Sequence, residues 1–176
     1  MLTNNFKQLM IGKFGYSGTA REVRVINREG VAKSVQNSED LYGILTTRFG
    51  KQKLSQLEGY AEVNSTTLAF GSGTTEVTKD DIALADMIAD ADFTIQNQSS
   101  TNTANNTDTL GQQILEMTFQ YSGTDTKTIN EVGLFYRRGT PNVWTAYPLI
   151  MFAREVLEQP ITINSGDTFT VSMTLG

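Results

Sequence analysis

The chain contains no cysteine and no histidine among its 176 residues. The lack of cysteine excludes disulfide bonds and thiol nucleophiles, and the lack of both excludes zinc sites built from Cys and His. Catalytic triads that use imidazole as the general base are excluded as well. The sequence therefore predicts a protein that is not an enzyme, with no catalytic residues, no cofactor and no metal.

Long apolar runs and an excess of basic charge are missing too. No segment approaches the roughly 20 apolar residues that cross a bilayer, and the first residues lack the pattern of a secretory signal. Lys and Arg number 14 against 19 Asp and Glu, which gives a formal net charge of −5. A chain this acidic is poorly suited to the phosphate backbone of nucleic acids. We expect neither a membrane nor a nucleic acid among its partners.

Threonine, asparagine and serine are abundant, at 24, 12 and 11 residues, and proline occurs only three times. Thr favours strands, whereas Asn, Ser and Gly favour turns. Apolar and polar residues alternate along most of the chain, for example in Arg21–Ile26 and Val31–Val35, which flank a turn at Asn27–Gly30. This pattern predicts a mainly β protein: one antiparallel, jelly-roll-like β-sandwich domain over residues 21–176, preceded by an arm or hairpin over residues 1–20.

One segment departs from this alternation and predicts a helix. Thr78 and Asp81 have the spacing of a capping box, and acidic residues in a first turn suit the helix dipole. The apolar residues that follow recur at intervals of three and four. We expect a short amphipathic helix over residues 79–91, with a buried stripe formed by Leu84, Met87, Ile88 and Ala91.

Three patterns that resemble chemical sites are incomplete. The glycines of Phe70–Thr75 lack the Lys-Ser/Thr ending of a phosphate loop, so we interpret them as a turn in which Gly71 and Gly73 adopt backbone angles that a side chain forbids. The pair Glu116 and Glu131 could support carboxylate catalysis, but nothing in the sequence fixes their separation. An acidic set lacks the Gly and Glu of a calcium loop and is interpreted as a solvated face. Its members are Asp80, Asp81, Asp86, Asp90 and Asp92.

Glu131 lies in an apolar strand, Thr128–Phe135, where it shares one face with Gly133 and Phe135. A carboxylate buried there persists only when it is paired or heavily hydrogen-bonded. Arg154, near the end of the next apolar strand, is the expected partner. We predict a structural ion pair between Glu131 and Arg154, with no catalytic role.

The N-terminal segment is a candidate for an assembly arm. Small β domains expose strand edges that need covering, and an extra segment can cover the edge of a neighbour. We therefore expect a homo-oligomer or an obligate partner. The candidate arm residues are Leu2, Phe6, Leu9 and Met10.

Several stretches, taken in order, resemble a family of tailed-bacteriophage virion proteins. They are Leu2–Phe6, Leu68–Thr75 with the acidic-Leu segment after it, and Ile129–Phe135 followed by Ala153–Arg154 and the closing Ile161–Thr174. Proteins of that family carry a GSGTT-like turn, an acidic-Leu helix, an EVGLF strand and a closing strand in the same order. The residues of the structural motif are Phe70, Gly71, Gly73, Thr74, Asp81, Leu84, Glu131, Gly133, Phe135 and Arg154.

The resemblance implies a structural component of a phage particle, at the neck, collar, tail, fibre or head surface. Such a protein is made and assembled in the host bacterial cytoplasm and binds other virion proteins. The alternative is a carbohydrate- or receptor-binding module of a fibre, with a host-surface glycan as its ligand. Exposed aromatic rings would then form a stacking platform, for which the candidates are Tyr136, Trp144 and Tyr147.

Overall fold

The computed structural model describes residues 1–4, 22–26, 30, 32–36, 65–102, 113–137 and 150–175. Eight strands lie within these ranges, together with a 3-10 turn at Asp90–Asp92. The prediction of a mainly β protein is confirmed. The strands are β1 (Glu22–Ile26), β2 (Ala32–Gln36), β3 (Ser65–Gly71), β4 (Phe93–Asn102), β5 (Gln113–Tyr121), β6 (Lys127–Arg137), β7 (Ile150–Ile163) and β8 (Thr168–Leu175).

The strands form antiparallel sheets. The two larger sheets have the orders β3–β6–β7 and β4–β5–β8. β1 and β2 pair with each other as the predicted hairpin, with Gly30 in a positive-φ conformation between them. Glycine suits that position because it has no Cβ to clash there.

The two three-stranded sheets share one hydrophobic core. Along β5 the side chains of Met117, Phe119 and Tyr121 are buried, as the alternation of the sequence predicts. The ring of Phe70 on β3 lies 4.8 Å from the ring of Phe119 and 5.2 Å from that of Phe169 on β8. Contacts between aromatic rings therefore join one sheet to the other.

The sheet β3–β6–β7 is buried on its second face as well. Residues 72–89, which we call the strap, connect β3 to the 3-10 turn, and Leu84 of the strap belongs to a second buried cluster on this face. The other members of that cluster come from the three strands of the sheet. They are Ala69, Phe135 and Met151.

The strap is not helical, so the helix predicted over residues 79–91 is wrong. Its capping residues form an isolated turn, in which Thr78 Oγ1 donates to Asp81 Oδ1 at 2.7 Å. Only part of the apolar stripe is used, since Leu84 and Ile88 are buried while Met87 is 43% exposed.

Hydrogen bonds to other elements replace those of the expected helix. Ile88 N donates to the Phe70 carbonyl at 2.9 Å, and Ser72 N donates to the Asp86 carbonyl at 2.8 Å. Gly71 and Met87 form an antiparallel bridge. Tertiary contacts with β3 therefore override the helical periodicity of the segment.

Residues 1–4 run antiparallel to β7 along its outer edge. Leu2 pairs with Ala153, and Thr3 N donates to the Phe152 carbonyl at 2.9 Å. Leu2 packs against the hydrophobic core. Leu2, one of the four candidate arm residues, thus pairs with a strand of its own chain. The other three, Phe6, Leu9 and Met10, lie outside the described residues.

Candidate functional site

Glu131 and Arg154 lie on neighbouring strands, on the face of the sheet that the strap covers. Arg154 is opposite Gly133 in the register of β6 and β7, which places it diagonally across from Glu131. Arg154 Nε donates to Glu131 Oε2 at 2.6 Å, and the two residues are 3% and 0% exposed. The predicted ion pair is confirmed, and it is buried.

The Glu131 carboxylate also binds backbone amides of the strap. Its Oε1 accepts from Asp86 N at 2.9 Å and from Gly73 N at 3.2 Å, and its Oε2 accepts from Ala85 N at 3.2 Å. Amide donors and a guanidinium together compensate for the loss of water around a buried carboxylate. One side chain of β6 thus holds both ends of the strap.

The Arg154 guanidinium extends the network to the middle of the strap. Nη1 donates to Asp81 Oδ2 at 2.7 Å, and Nη2 donates to the Thr75 carbonyl at 3.0 Å. Burial by itself lowers the pKa of Arg154, but the hydrogen bonds from Arg154 to Asp81 and Glu131 outweigh that effect and raise the pKa above its usual value. The guanidinium stays charged in this environment.

Asp81 is the second acidic partner of Arg154. Burial raises the pKa of its carboxyl, yet the hydrogen bonds from Arg154 and Thr78 dominate, so the pKa lies below its usual value. Thr78 N also donates to Asp81 Oδ2, at 3.1 Å. The residues predicted to cap a helix therefore anchor a turn to the guanidinium. We call Asp81, Glu131 and Arg154 the ion cluster.

Three glycines make room for the ion cluster and the strap. A Cβ atom on Gly73 would lie 2.5 Å from Glu131 Oε1, and one on Gly71 would also overlap that oxygen. A Cβ atom on Gly133 would lie 2.9 Å from a methyl carbon of Leu84. Neither Gly71 nor Gly73 has a positive φ, so our expectation of forbidden backbone angles is wrong. Gly71 and Gly73 are required because a side chain at either position would overlap the Glu131 carboxylate.

The remaining motif residues lie either beside this centre or away from it. Leu84 and Phe135 pack together in the second buried cluster, and Phe70 packs between the two sheets. Thr74 is exposed on the strap. Sequence separation is large, yet the fold brings residues from four segments of the motif to one place.

The acidic alternatives do not assemble into a site. Glu116 is exposed on β5, in the other three-stranded sheet, and accepts from Ser99 Oγ at 3.3 Å. It therefore does not form a catalytic pair with Glu131. Among the described residues, no group of three or more Asp and Glu could hold a metal ion.

Of the three residues predicted to form a glycan-stacking platform, Tyr136 is not available at the surface. Tyr136 is 2% exposed and stacks on Phe152 at a ring separation of 4.9 Å. Burial raises the pKa of its hydroxyl. Tyr136 is therefore a core residue, and Trp144 and Tyr147 lie outside the described residues.

Sequence reasoning found the ion pair but missed much of what surrounds it. Asp81 carried a signal for a cap, not for a partner of Arg154. The amides of Ala85 and Asp86 carried no signal, because any residue other than proline supplies such a donor. In the assembled cluster, each polar atom of the Glu131 and Arg154 side chains is hydrogen-bonded within the chain. This closed arrangement is suited to holding the strap on the sheet.

Comparisons of the chain with protein-family models, with curated proteins and with solved structures find no match. In the described part of the chain, no helix has the length and apolar character needed to span a membrane.

Proposed function

We propose that the chain is a structural component of a tailed-phage particle, acting through assembly with other virion proteins at the neck, collar, tail, fibre or head surface. The observation that carries the proposal is the convergence of the motif residues on one buried ion cluster. Most motif residues are distant in sequence and adjacent in the fold at this cluster, namely Gly71, Gly73, Asp81, Leu84, Glu131, Gly133 and Arg154.

This convergence supports the proposal because it assigns one structural role to the ordered motif, which is to hold the strap on the sheet. The glycines create space, Glu131 binds the strap, and Arg154 joins it to Asp81. A motif whose residues bond to one another specifies a scaffold, and function must then reside in surfaces that the scaffold presents. Assembly of a particle requires such surfaces.

We also propose that the two three-stranded sheets form a jelly-roll-like sandwich. The contacts of Phe70 with rings of the other sheet support this arrangement. So does the path of the chain, which passes from one sheet to the other after β3, β5 and β7. Nuclear Overhauser contacts between Phe70 and Phe119 test it, and their absence in the folded protein contradicts it.

The proposal is tested by the composition of purified particles. Particles released from the strain that encodes the chain are purified by density gradient and analysed by mass spectrometry. We expect peptides of the chain at a fixed ratio to the major capsid protein, and portal, terminase or tail genes beside its gene. Expression in the cell together with absence from the particles contradicts the proposal.

The same preparation separates the proposal from the glycan-binding alternative. A homo-oligomer or a stable complex with another virion protein, measured by light scattering, supports an assembly role. Selective binding to a glycan array by the isolated chain, lost on Trp144→Ala, supports a fibre module instead. Trp144 is the position to substitute because Tyr136 is buried and cannot present its ring to a glycan.

A further inference from the structure

Residues 1–4 bridge to β7 at Leu2, and we call them the N-terminal strand; they are held by groups that are far from them in sequence. Thr3 is 1% exposed, and its Oγ1 donates to the Met151 carbonyl at 2.7 Å, across 148 residues of separation. Arg154 N donates to the Met1 carbonyl at 3.1 Å. Main-chain pairing with a buried side-chain bond is how an added strand is bound at a sheet edge.

The strap supplies a second wall of the same binding site. Asn4 N donates to the Lys79 carbonyl at 2.7 Å, and Asn4 Nδ2 donates to Asp80 Oδ1 at 2.7 Å. The strand therefore lies between the edge of β7 and the turn that contains Lys79 and Asp80. We call these two walls the acceptor.

The ion cluster fixes both walls of the acceptor. Arg154 contributes its backbone amide to the β7 edge and its side chain to Asp81, the residue that follows Lys79 and Asp80. Loss of the ion pair with Asp81 removes the direct link between the walls. Binding of the N-terminal strand is thus coupled to the cluster.

We propose that the acceptor is a strand-exchange site, which the N-terminal strand of a second copy of this chain occupies during assembly. Every contact above joins residues 1–4 to distant residues, so the same segment of another copy makes the same contacts. Residues 5–21 lead to β1, and 17 residues reach up to roughly 60 Å when extended. That reach exceeds the radius of gyration of a domain of this size, about 16 Å. The inference deepens the proposed assembly role and rests on it for the presence of neighbouring copies.

Engineered cysteines test the exchange, because the chain has none of its own. The bonds on either side make Leu2 and Ala153 a non-hydrogen-bonded antiparallel pair, whose Cα atoms lie roughly 4.5 Å apart. That spacing is within disulfide range. Leu2→Cys and Ala153→Cys chains are co-expressed, purified and oxidised, and covalent dimers are quantified on non-reducing gels.

We expect a covalent mixed dimer in at least several-fold excess over a control mixture of Leu2→Cys with Ile161→Cys. Ile161 is 40% exposed and lies on β7, away from the acceptor. No excess over the control overturns the exchange. A second measurement uses unsubstituted chains, in a mixture of isotope-labelled and unlabelled copies. Isotope-filtered nuclear Overhauser contacts between Leu2 of labelled copies and Ala153 of unlabelled copies support the exchange. Contacts found only within one copy overturn the exchange.

The outcomes separate this inference from the proposed function. Particles that contain the chain but yield no contact between Leu2 and Ala153 of different copies overturn the exchange and leave the virion role standing. Exchange between copies of a chain that is absent from particles overturns the virion role and leaves the exchange standing.

Discussion

Arg154 is suited to its position because its planar guanidinium donates in several directions at once. Nε binds Glu131, Nη1 binds Asp81, and Nη2 binds the Thr75 carbonyl. A lysine ammonium is a single point charge on a flexible stem and cannot reproduce this fork. One side chain of β7 therefore contacts both Glu131 of β6 and the strap.

The ion pair should show strong coupling in a double-mutant cycle. Glu131→Gln and Arg154→Met should each lower the free energy of unfolding by about 3–5 kcal/mol, because each leaves the opposite charge buried without its partner. The double variant should lose less than the sum of the two single losses. Chemical denaturation of the four proteins measures the cycle, and additive losses would show that the residues do not interact.

Stability should also depend on pH through Asp81. Because its pKa is lowered in the folded state, Asp81 stabilises the fold above the unfolded pKa of about 3.9, and that contribution is lost as the pH falls through the folded pKa. Asp81→Asn should therefore flatten the loss of stability below about pH 4.

The measurement is the free energy of unfolding across the acidic range, with Asp125→Asn as the control. Asp125 has a side chain that is 79% exposed, and its Oδ2 lies 3.9 Å from Lys127 Nζ. The free energy of unfolding of the Asp125→Asn control should fall with pH as it does in the unsubstituted protein. Equal acid sensitivity of Asp81→Asn and the unsubstituted protein would exclude Asp81 as the source.

At the scale of elements, the strap shows how a covering segment is held without regular secondary structure. Its ends bind Glu131 through the amides of Gly73, Ala85 and Asp86, and its buried apolar side chains include Leu84 and Ile88. A connection of this kind can unfold locally when its few anchors are removed.

Gly73→Ala should weaken the strap. The added methyl group would overlap Glu131 Oε1, so the carboxylate or the strap must move, and overpacking of this kind costs about 1–3 kcal/mol. Thr74→Ala, at the exposed neighbouring residue, should change stability by less than about 0.5 kcal/mol. Thermal denaturation compares the two variants, and equal melting temperatures would contradict the steric argument.

Strands and the ion pair could be predicted from the sequence, whereas the strap could not. The alternation of apolar and polar residues indicates which face of a strand is buried. Glu131 lies in an apolar strand, where a buried carboxylate is stable only with a partner, so an ion pair could be predicted. The segment after Thr78 has helical periodicity, but its amides bind β3 and a carboxylate 45 residues away. Such long-range acceptors leave no mark on the local pattern. The pairing of residues 1–4 with β7 was missed for the same reason.

At the scale of the whole molecule, Phe70 joins the two sheets. Its ring contacts Phe93, Phe119 and Phe169, at centroid separations of 5.0, 4.8 and 5.2 Å. Aromatic pairs at these separations contribute beyond the area that they bury. Stability of the sheets as one unit should therefore depend on this side chain.

Phe70→Ala should lower the free energy of unfolding by about 3–5 kcal/mol, as large-to-small substitutions in a core do. Ile161→Ala removes a side chain of a residue that is 40% exposed and should cost less than about 1 kcal/mol. Urea unfolding followed by tyrosine fluorescence measures both. A small loss for Phe70→Ala would show that the sheets do not depend on this contact.

The position of Arg154 in the chain has a consequence for synthesis on the ribosome. The amides of the strap are made first, their carboxylate acceptor Glu131 follows 45 residues after Asp86, and the guanidinium appears 23 residues after that. Until β7 has been made, the Glu131 carboxylate lacks its guanidinium partner and is hydrated instead. Contacts of such long range delay folding until most of the chain is available. The strap therefore gains its last anchor only once Arg154 has been made, and the core is completed later still, when β8 follows.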